Sequence, residues 1–309
     1  MCSLFLKFMV KIAFDPTFQL SLPENHRFPM LKYDLIPRQL LHEGIIDSSY
    51  LFKPKPVTRS IAALVHTEKY LDKLLNLELS PSEIRRSGFP LSKELIEREF
   101  LLAGGTVDCT DFALEYGIAL NVAGGTHHAF KDQAEGFCLL NDCAIAAAAL
   151  LTSGKAKKIL IVDLDVHQGN GTASIFKDEP AVFTLSMHGA HNFPHHKEQS
   201  DLDIPLPDGT DDHMYHVLMD QYLLVVFREQ NPDFVFYISG VDVLASDKLG
   251  RLKLSREGCR LRDEKVIRLC HEHKVPLVIT MGGGYSEKIN DIVTSHCDTF
   301  RIALSYYDV

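Results

Sequence analysis

At 309 residues the chain is long enough to bury a large core, and its 46% hydrophobic and 24% charged content is that of an ordinary globular protein. A net charge of -9 argues against broad, sequence-independent binding to nucleic acid, which needs a basic face, and leaves a cationic substrate open. Seven cysteines, odd in number and without a CxxC pair, give neither a disulfide framework nor a cysteine zinc site, so a reducing, cytoplasmic setting is expected.

The first ten residues are apolar but broken by Lys7 and too short to span a bilayer, so no membrane association is expected. Lys-Phe-Met-Val-Lys-Ile-Ala-Phe (7–14) reads as a first strand, with either Met1 or Met9 as the natural start. Two proline-bearing polar stretches, 52–60 and 80–90, read as loops. Ala-Gly-Gly-Thr at 103–106 opens a predicted helix, and the same tetrapeptide at 123–126 closes a short strand.

From there a rhythm sets in. Apolar runs suited to buried parallel strands recur at 118–122, 158–163, 181–186, 234–239 and 277–281, with helical patterns between them at 142–151 and 215–228. Such alternation predicts an α/β fold, a parallel sheet covered on both faces, in one domain over 1–309. Ligands of such sheets bind beyond the carboxyl ends of the strands. Four strands run out there into Gly-Gly-Thr-His-His, Asp-Leu-Asp-Val-His-Gln-Gly-Asn-Gly, Ser-Gly-Val-Asp-Val and Gly-Gly-Gly-Tyr.

In Asp-Leu-Asp-Val-His an extended backbone puts Asp163, Asp165 and His167 on one side. Alone, the motif is as readily a set of hydrogen-bonded caps as a metal site. Asp242 is placed to supply a third ligand beside Asp165 and His167. Two carboxylates and one imidazole leave an open position, the pattern of a catalytic rather than a structural site. Zinc is the first choice, and Fe(II) or Mn(II) suits the same donors. His127 and His128, in a glycine-led loop, can then act as base and charged companion, oriented by Asp163 and Asn170. Tyr285 can donate to a developing oxyanion. The pair His195 and His196 reads as a solvated loop, His213 and His216 as a solvated helix end, and His271 and His273 as an exposed helix terminus. Phosphate-loop and Gly-x-Ser-x-Gly signatures are absent.

Taken in order, Asn-His-Arg-Phe-Pro-Met-Leu-Lys-Tyr (25–33), Gly-Gly-Thr-His-His-Ala (124–129), Gly-Phe-Cys-Leu-Leu-Asn-Asp (136–142), Asp-Leu-Asp-Val-His-Gln-Gly-Asn-Gly-Thr (163–172), Ser-Gly-Val-Asp-Val (239–243) and Gly-Gly-Gly-Tyr (282–285) resemble the histone deacetylase family. His-Gln-Gly-Asn-Gly and residues 247–255 look most like its class IV branch and bacterial relatives. The resemblance implies a three-layer α/β/α arginase/deacetylase fold and a zinc-dependent deacylase acting on acyl-lysine. It implies zinc on Asp165, His167 and Asp242, with His128 as general base and acid, His127 as its electrostatic companion and Tyr285 as oxyanion donor. Asp163 would orient His127. Asn170 stands where other branches carry aspartate, which should leave His128 less basic.

Further carry-over assigns Gly136, Phe137 and Phe193 to the acyl tunnel and Arg27 to an internal channel below the metal. A potassium site falls on Asp163, Asp165, His167, Ser186 and Met187. The expected partner is the acylated lysine of a protein or a small N-acyl amine such as an acetylpolyamine. Two other readings are a manganese enzyme of the arginase type and a low-turnover protein that binds acylated partners.

Overall fold

Short runs of Ile, Leu, Val and Phe, bounded by glycine and polar residues, have no solvated face to offer and so become interior strands. A computed structural model of the chain describes residues 10–308; the choice between Met1 and Met9 lies outside them. In chain order the elements are β1 (Lys11–Ala13), α1 (Lys32–His42), β2 (Leu51–Phe52), α2 (Arg59–Ala62), α3 (Glu68–Leu75), α4 (Pro81–Ser87), α5 (Lys93–Tyr116) and β3 (Ile118–Asn121). There follow α6 (Asp142–Thr152), β4 (Ile159–Asp163), α7 (Asn170–Phe176), β5 (Val182–Gly189), β6 (Leu202–Leu206) and α8 (Asp212–Gln230). The chain closes with β7 (Phe234–Ile238), α9 (Arg256–His273), β8 (Leu277–Thr280) and α10 (Ile289–Tyr307).

The strands form one eight-stranded sheet in the order β2-β1-β3-β8-β7-β4-β5-β6, parallel throughout. Every residue of β3, β4, β7 and β8 is buried, as expected for strands covered on both faces. The helices fall into two sets that pack among themselves. One joins α5 to α3 and α6, and α6 to α2 and α7; the other runs from α1 through α10 and α9 to α8. The sheet lies between them, with β3 touching both α5 and α10. This is the expected α/β/α arrangement.

The strand order positions the site. β3, β8, β7 and β4 stand side by side, the pair β8 and β7 inserted between β3 and β4, which are successive strands in the sequence. All four therefore empty their carboxyl-end loops into one crevice.

Three local expectations are corrected. Residues 80–90 are not only loop: Ser80 and Glu83 form a reciprocal capping box over α4, which ends at Gly88 in the left-handed conformation. Pro81 sits at the first turn, where its missing N–H costs nothing. Ala-Gly-Gly-Thr at 103–106 lies inside α5 instead of opening a helix. A Cβ on Gly104 would come within 1.8 Å of the Lys55 carbonyl, so glycine lets the 53–57 segment cross the helix surface. β2 and β6 were not foreseen; β6 is an edge strand carrying Pro205, which only an edge tolerates.

Candidate metal centre and its cavity

The loop after β3 is shaped by α6. Asn141 caps that helix through Oδ1, which accepts from the Ala144 amide at 3.1 Å. Asp142, one residue on, turns back and accepts from the amides of Thr126 (2.8 Å) and Gly125 (3.2 Å) and from the hydroxyls of Thr126 and Thr106 (both 2.6 Å). The chain is thereby bent so that His127 and His128 both enter the interior, their ring centroids 4.1 Å apart.

Each imidazole faces its own partner. His127 Nδ1 lies 2.7 Å from Asp163 Oδ2, and His128 Nδ1 lies 2.7 Å from Asn170 Oδ1. Because Asn170 turns its amide nitrogen toward Glu135 Oε1 at 3.4 Å, the oxygen is left for His128. An amide oxygen only accepts, so His128 carries its proton on Nδ1 and presents a bare Nε2. Burial opposes charge on both rings. At His127 the carboxylates of Asp163 and Asp165 outweigh it and hold the pKa up to about 9. At His128 burial, then repulsion from His127 and His167, takes the pKa well below the ordinary value, with the Asn170 bond a minor opposing effect. The lowering is therefore the work of burial and of the two neighbouring imidazoles, not of the neutral partner.

Beyond β4 the backbone leaves the extended form after Asp163. Asp165 Oδ1 accepts from the His167 amide at 2.9 Å and Oδ2 from the Gly283 amide at 2.7 Å. Asp242 Oδ1 accepts from the Val166 amide at 2.9 Å. His167 Nδ1 then faces both carboxylates, at 3.1 Å from Asp165 Oδ1 and 3.2 Å from Asp242 Oδ2. One ligand atom from each of Asp165, His167 and Asp242 lies within 4.8 Å of the other two, and all three residues are buried.

The donor set fits a divalent cation. Asp242 Oδ2 is buried with His167 Nδ1 3.2 Å away but no hydrogen bond of good geometry, so its desolvation is poorly offset, and a bound cation would supply what is missing. Burial, then the neighbouring Asp165, pushes the Asp242 carboxyl up to about 7. This is the behaviour of two crowded carboxylates short of positive charge. Gly283 permits the approach, since a Cβ there would lie 2.0 Å from Asp242 Oδ2.

Above the triad a cavity of about 370 Å3 opens to solvent, walled by His128, His167, Tyr285, Gly136, Phe137 and Phe193. Phe193 stands edge-on to His128, centroids 5.0 Å apart, and Phe137 lies 6.0 Å from Tyr285 across the opening. Burial, then the charges of Asp165 and Asp242, keeps the Tyr285 phenol protonated far above neutral pH. Ser186 and Met187 lie on β5 beside Asp163, with Ser186 in register with it, and Ser186 Oγ is 3.0 Å from His188 Nδ1.

Arg27 is a correction. It is exposed at the outer rim, its guanidinium 5.2 Å above the Phe137 ring, and does not lie below the metal ligands. The inner side is reached instead by two cations that sequence reasoning missed. Arg98 of α5 lines a small inner cavity of about 30 Å3 with Tyr33, Leu102 and Asp165. Lys32, fully buried at the start of α1, donates to the Gly282 carbonyl at 2.8 Å. Burial drops its pKa to about 8, while Asp242 and Asp165 oppose the fall.

Asp247 was missed as well: its carboxylate accepts from the amides of Tyr285 (2.6 Å), Leu249 and Gly250 (both 2.8 Å) and so fixes the tyrosine's backbone. Arg262 of α9 donates to the carbonyls of Leu164 (3.0 Å) and Gly240 (2.6 Å), tying together the two ligand-bearing loops. His195, His196, His271 and His273 are exposed and away from the site. His216 is not a solvated histidine; its Nε2 bonds the Gly258 carbonyl at 3.0 Å.

Comparison with known proteins places this geometry. Residues 26–300 match the histone deacetylase domain model. An uncharacterized protein of Picosynechococcus sp. is 42% identical over 96% of this chain and 99% of its own length. Histone deacetylase 2 of Arabidopsis thaliana is 29% identical over 89% of this chain and 74% of its own. The crystal structure of an HDAC homologue from Aquifex aeolicus superposes with a TM-score of 0.81 at 26% identity, over 96% of this chain and 84% of that one. A crystal structure of an HDAC homologue complexed with SAHA gives the same values.

Proposed function

The chain belongs to the histone deacetylase family, and on that premise we propose that it is a zinc-dependent deacylase hydrolysing N-acyl amides of the acyl-lysine type. The observation that carries the reading is the bond from His128 Nδ1 to Asn170 Oδ1, which leaves Nε2 free, beside three buried ligand residues, one of which, Asp242, has a carboxylate oxygen without a hydrogen bond.

Zinc held by Asp165, His167 and Asp242 would polarise the acyl carbonyl and acidify water at neutral pH. The protein's own groups supply the rest. His128 takes the proton of the attacking water on Nε2, a role open to it because its pKa is held low and it is neutral at pH 7. His127, paired with Asp163, is held cationic and stabilises negative charge as the carbonyl carbon becomes tetrahedral. Tyr285, a neutral phenol, donates to that oxyanion. His128 then returns its proton to the departing amine. Phe137 and Phe193 flank the acyl amide's alkyl portion and keep water from it.

The test is a panel of acyl-lysine peptides, acetyl through myristoyl, with acetylated polyamines beside them, offered to zinc-loaded and zinc-stripped protein. Hydrolysis that depends on zinc supports the reading, and the preferred chain length measures the cavity. Absence of hydrolysis from a folded, zinc-loaded protein contradicts it.

A further inference from the structure

We propose that the cavity mouth selects substrates whose amine-bearing portion carries carboxylates, through Arg27, Arg85 and Arg86. The inference rests on the deacylase reading above and names the substrate class of the same site.

All three arginines line the open end of the cavity and all are exposed. Among the described residues none of them makes an ion pair. Arg27 lies over the Phe137 face, and Arg86 Nη1 donates to the neutral amide oxygen of Gln133. The one acid in the lining, Glu135, is half-buried; its carboxylate accepts from the Asn170 amide and also feels the charge of Arg86, offsetting one of the three positive charges. The mouth thus carries a surplus of positive charge in a chain whose net charge is -9. A charged rim around a low-dielectric cleft concentrates the opposite charge from solution.

The arginines are also held in place relative to the tunnel wall. The capping box and left-handed Gly88 fix both ends of α4, and Arg85 and Arg86 occupy its last turn. The same turn is stitched to the wall: the Gly136 amide donates to the Arg86 carbonyl at 3.1 Å and the Phe137 amide to the Ser87 carbonyl at 2.8 Å. His26 Nε2 bonds the Gly88 carbonyl at 2.9 Å, which anchors the segment bearing Arg27. Forked guanidiniums carried on a backbone fixed in this way can meet a carboxylate in two-point contact at the cavity mouth. Cationic substrates, which overall charge left open, meet like charge at the entrance; acetylpolyamines and Lys-rich tails are therefore disfavoured.

The experiment compares kcat/KM of the zinc-loaded protein on acetyl-lysine peptides flanked by Asp, Ala or Lys, and on free Nε-acetyl-lysine against its carboxamide. Exposed charge pairs each change an equilibrium by up to about fivefold, so several together should favour Asp over Lys flanks by about tenfold. The advantage should fade near 1 M salt, and Arg85→Glu with Arg86→Glu should invert the order. A preference confined to the free acid over its carboxamide points to an α-carboxylate; a preference for Asp flanks points to side chains of a peptide. Equal rates across flanks, or a lead for Lys flanks, overturn the inference and leave the deacylase reading standing. Should no peptide be hydrolysed, the deacylase reading fails; competition binding of the same peptides then reads the rim alone, with an Asp-over-Lys order supporting it and a flat order overturning it.

Discussion

Asp142 Oδ1 accepts the Thr126 amide at 2.8 Å, so the first turn of α6 grips the residue immediately before the paired histidines. The carboxylate serves four donors at once. Asp142→Ala should strand them in the interior, where each unsatisfied group costs about 1–3 kcal/mol, and should lower stability by about 3 kcal/mol or more. Asp142→Asn keeps one acceptor oxygen and should lose less. Thermal melts of the two variants check the order.

Asn170 gives His128 a neutral partner, and restoring charge there has a definite sign. Asn170→Asp places a carboxylate on Nδ1 and should raise the His128 pKa by about one to three pH units. The base then stays protonated to higher pH, so the acid limb of the kcat/KM profile should move upward. An unmoved limb would mean that His128 is not the group titrating in catalysis.

Arg262 and Asp263 form a fully buried ion pair, with Nε to Oδ1 at 2.9 Å. Asp263 also accepts from Tyr237 (2.5 Å) and Thr299 (2.7 Å). Arg262→Leu would leave a buried carboxylate without its cation and release the Leu164 and Gly240 carbonyls. The expected loss is about 3–5 kcal/mol, read by urea unfolding. A double variant that also replaces Asp263 by Leu should recover part of it.

Acid sensitivity has a source away from the site. His66 Nε2 accepts the Asn141 amide at 3.0 Å, a role that only the neutral ring can fill. Burial takes its pKa to about 4 from an ordinary 6.5. Between those values the unfolded chain binds the proton and the folded one does not, so stability is present above pH 6.5 and falls as pH drops toward 4. The loss amounts to about 3 kcal/mol. His66→Gln should remove that slope from the pH dependence of the urea midpoint.

The site residues were legible because they follow strands. Glycine, histidine, aspartate and tyrosine at the ends of apolar runs have one place to go in a parallel sheet, which is how Asp165, His167, Asp242, His127, His128 and Tyr285 converge. Lys32 and Arg27 show where such reading stops. Both sit in one short stretch, Arg-Phe-Pro-Met-Leu-Lys (27–32), and only the path of the chain into α1 decides that the lysine is buried against Gly282 and the arginine reaches the rim. The Ser80 to Glu83 box carried a helix signal that the surrounding prolines and glycine obscured. In α5 the paired glycines mimicked a boundary because their causes, the segment crossing Gly104 at Lys55 and the Asn121 side chain against Gly105, are tertiary.

Whether Tyr285 and His128 carry the chemistry is read from hydrolysis of an acyl-lysine peptide by Tyr285→Phe and His128→Ala, each at the zinc content of the unaltered protein. Each variant should bind zinc and stay folded while kcat falls by about 100-fold or more, the usual loss when an oxyanion donor or a general base is removed. Turnover retained in both variants would contradict their catalytic role.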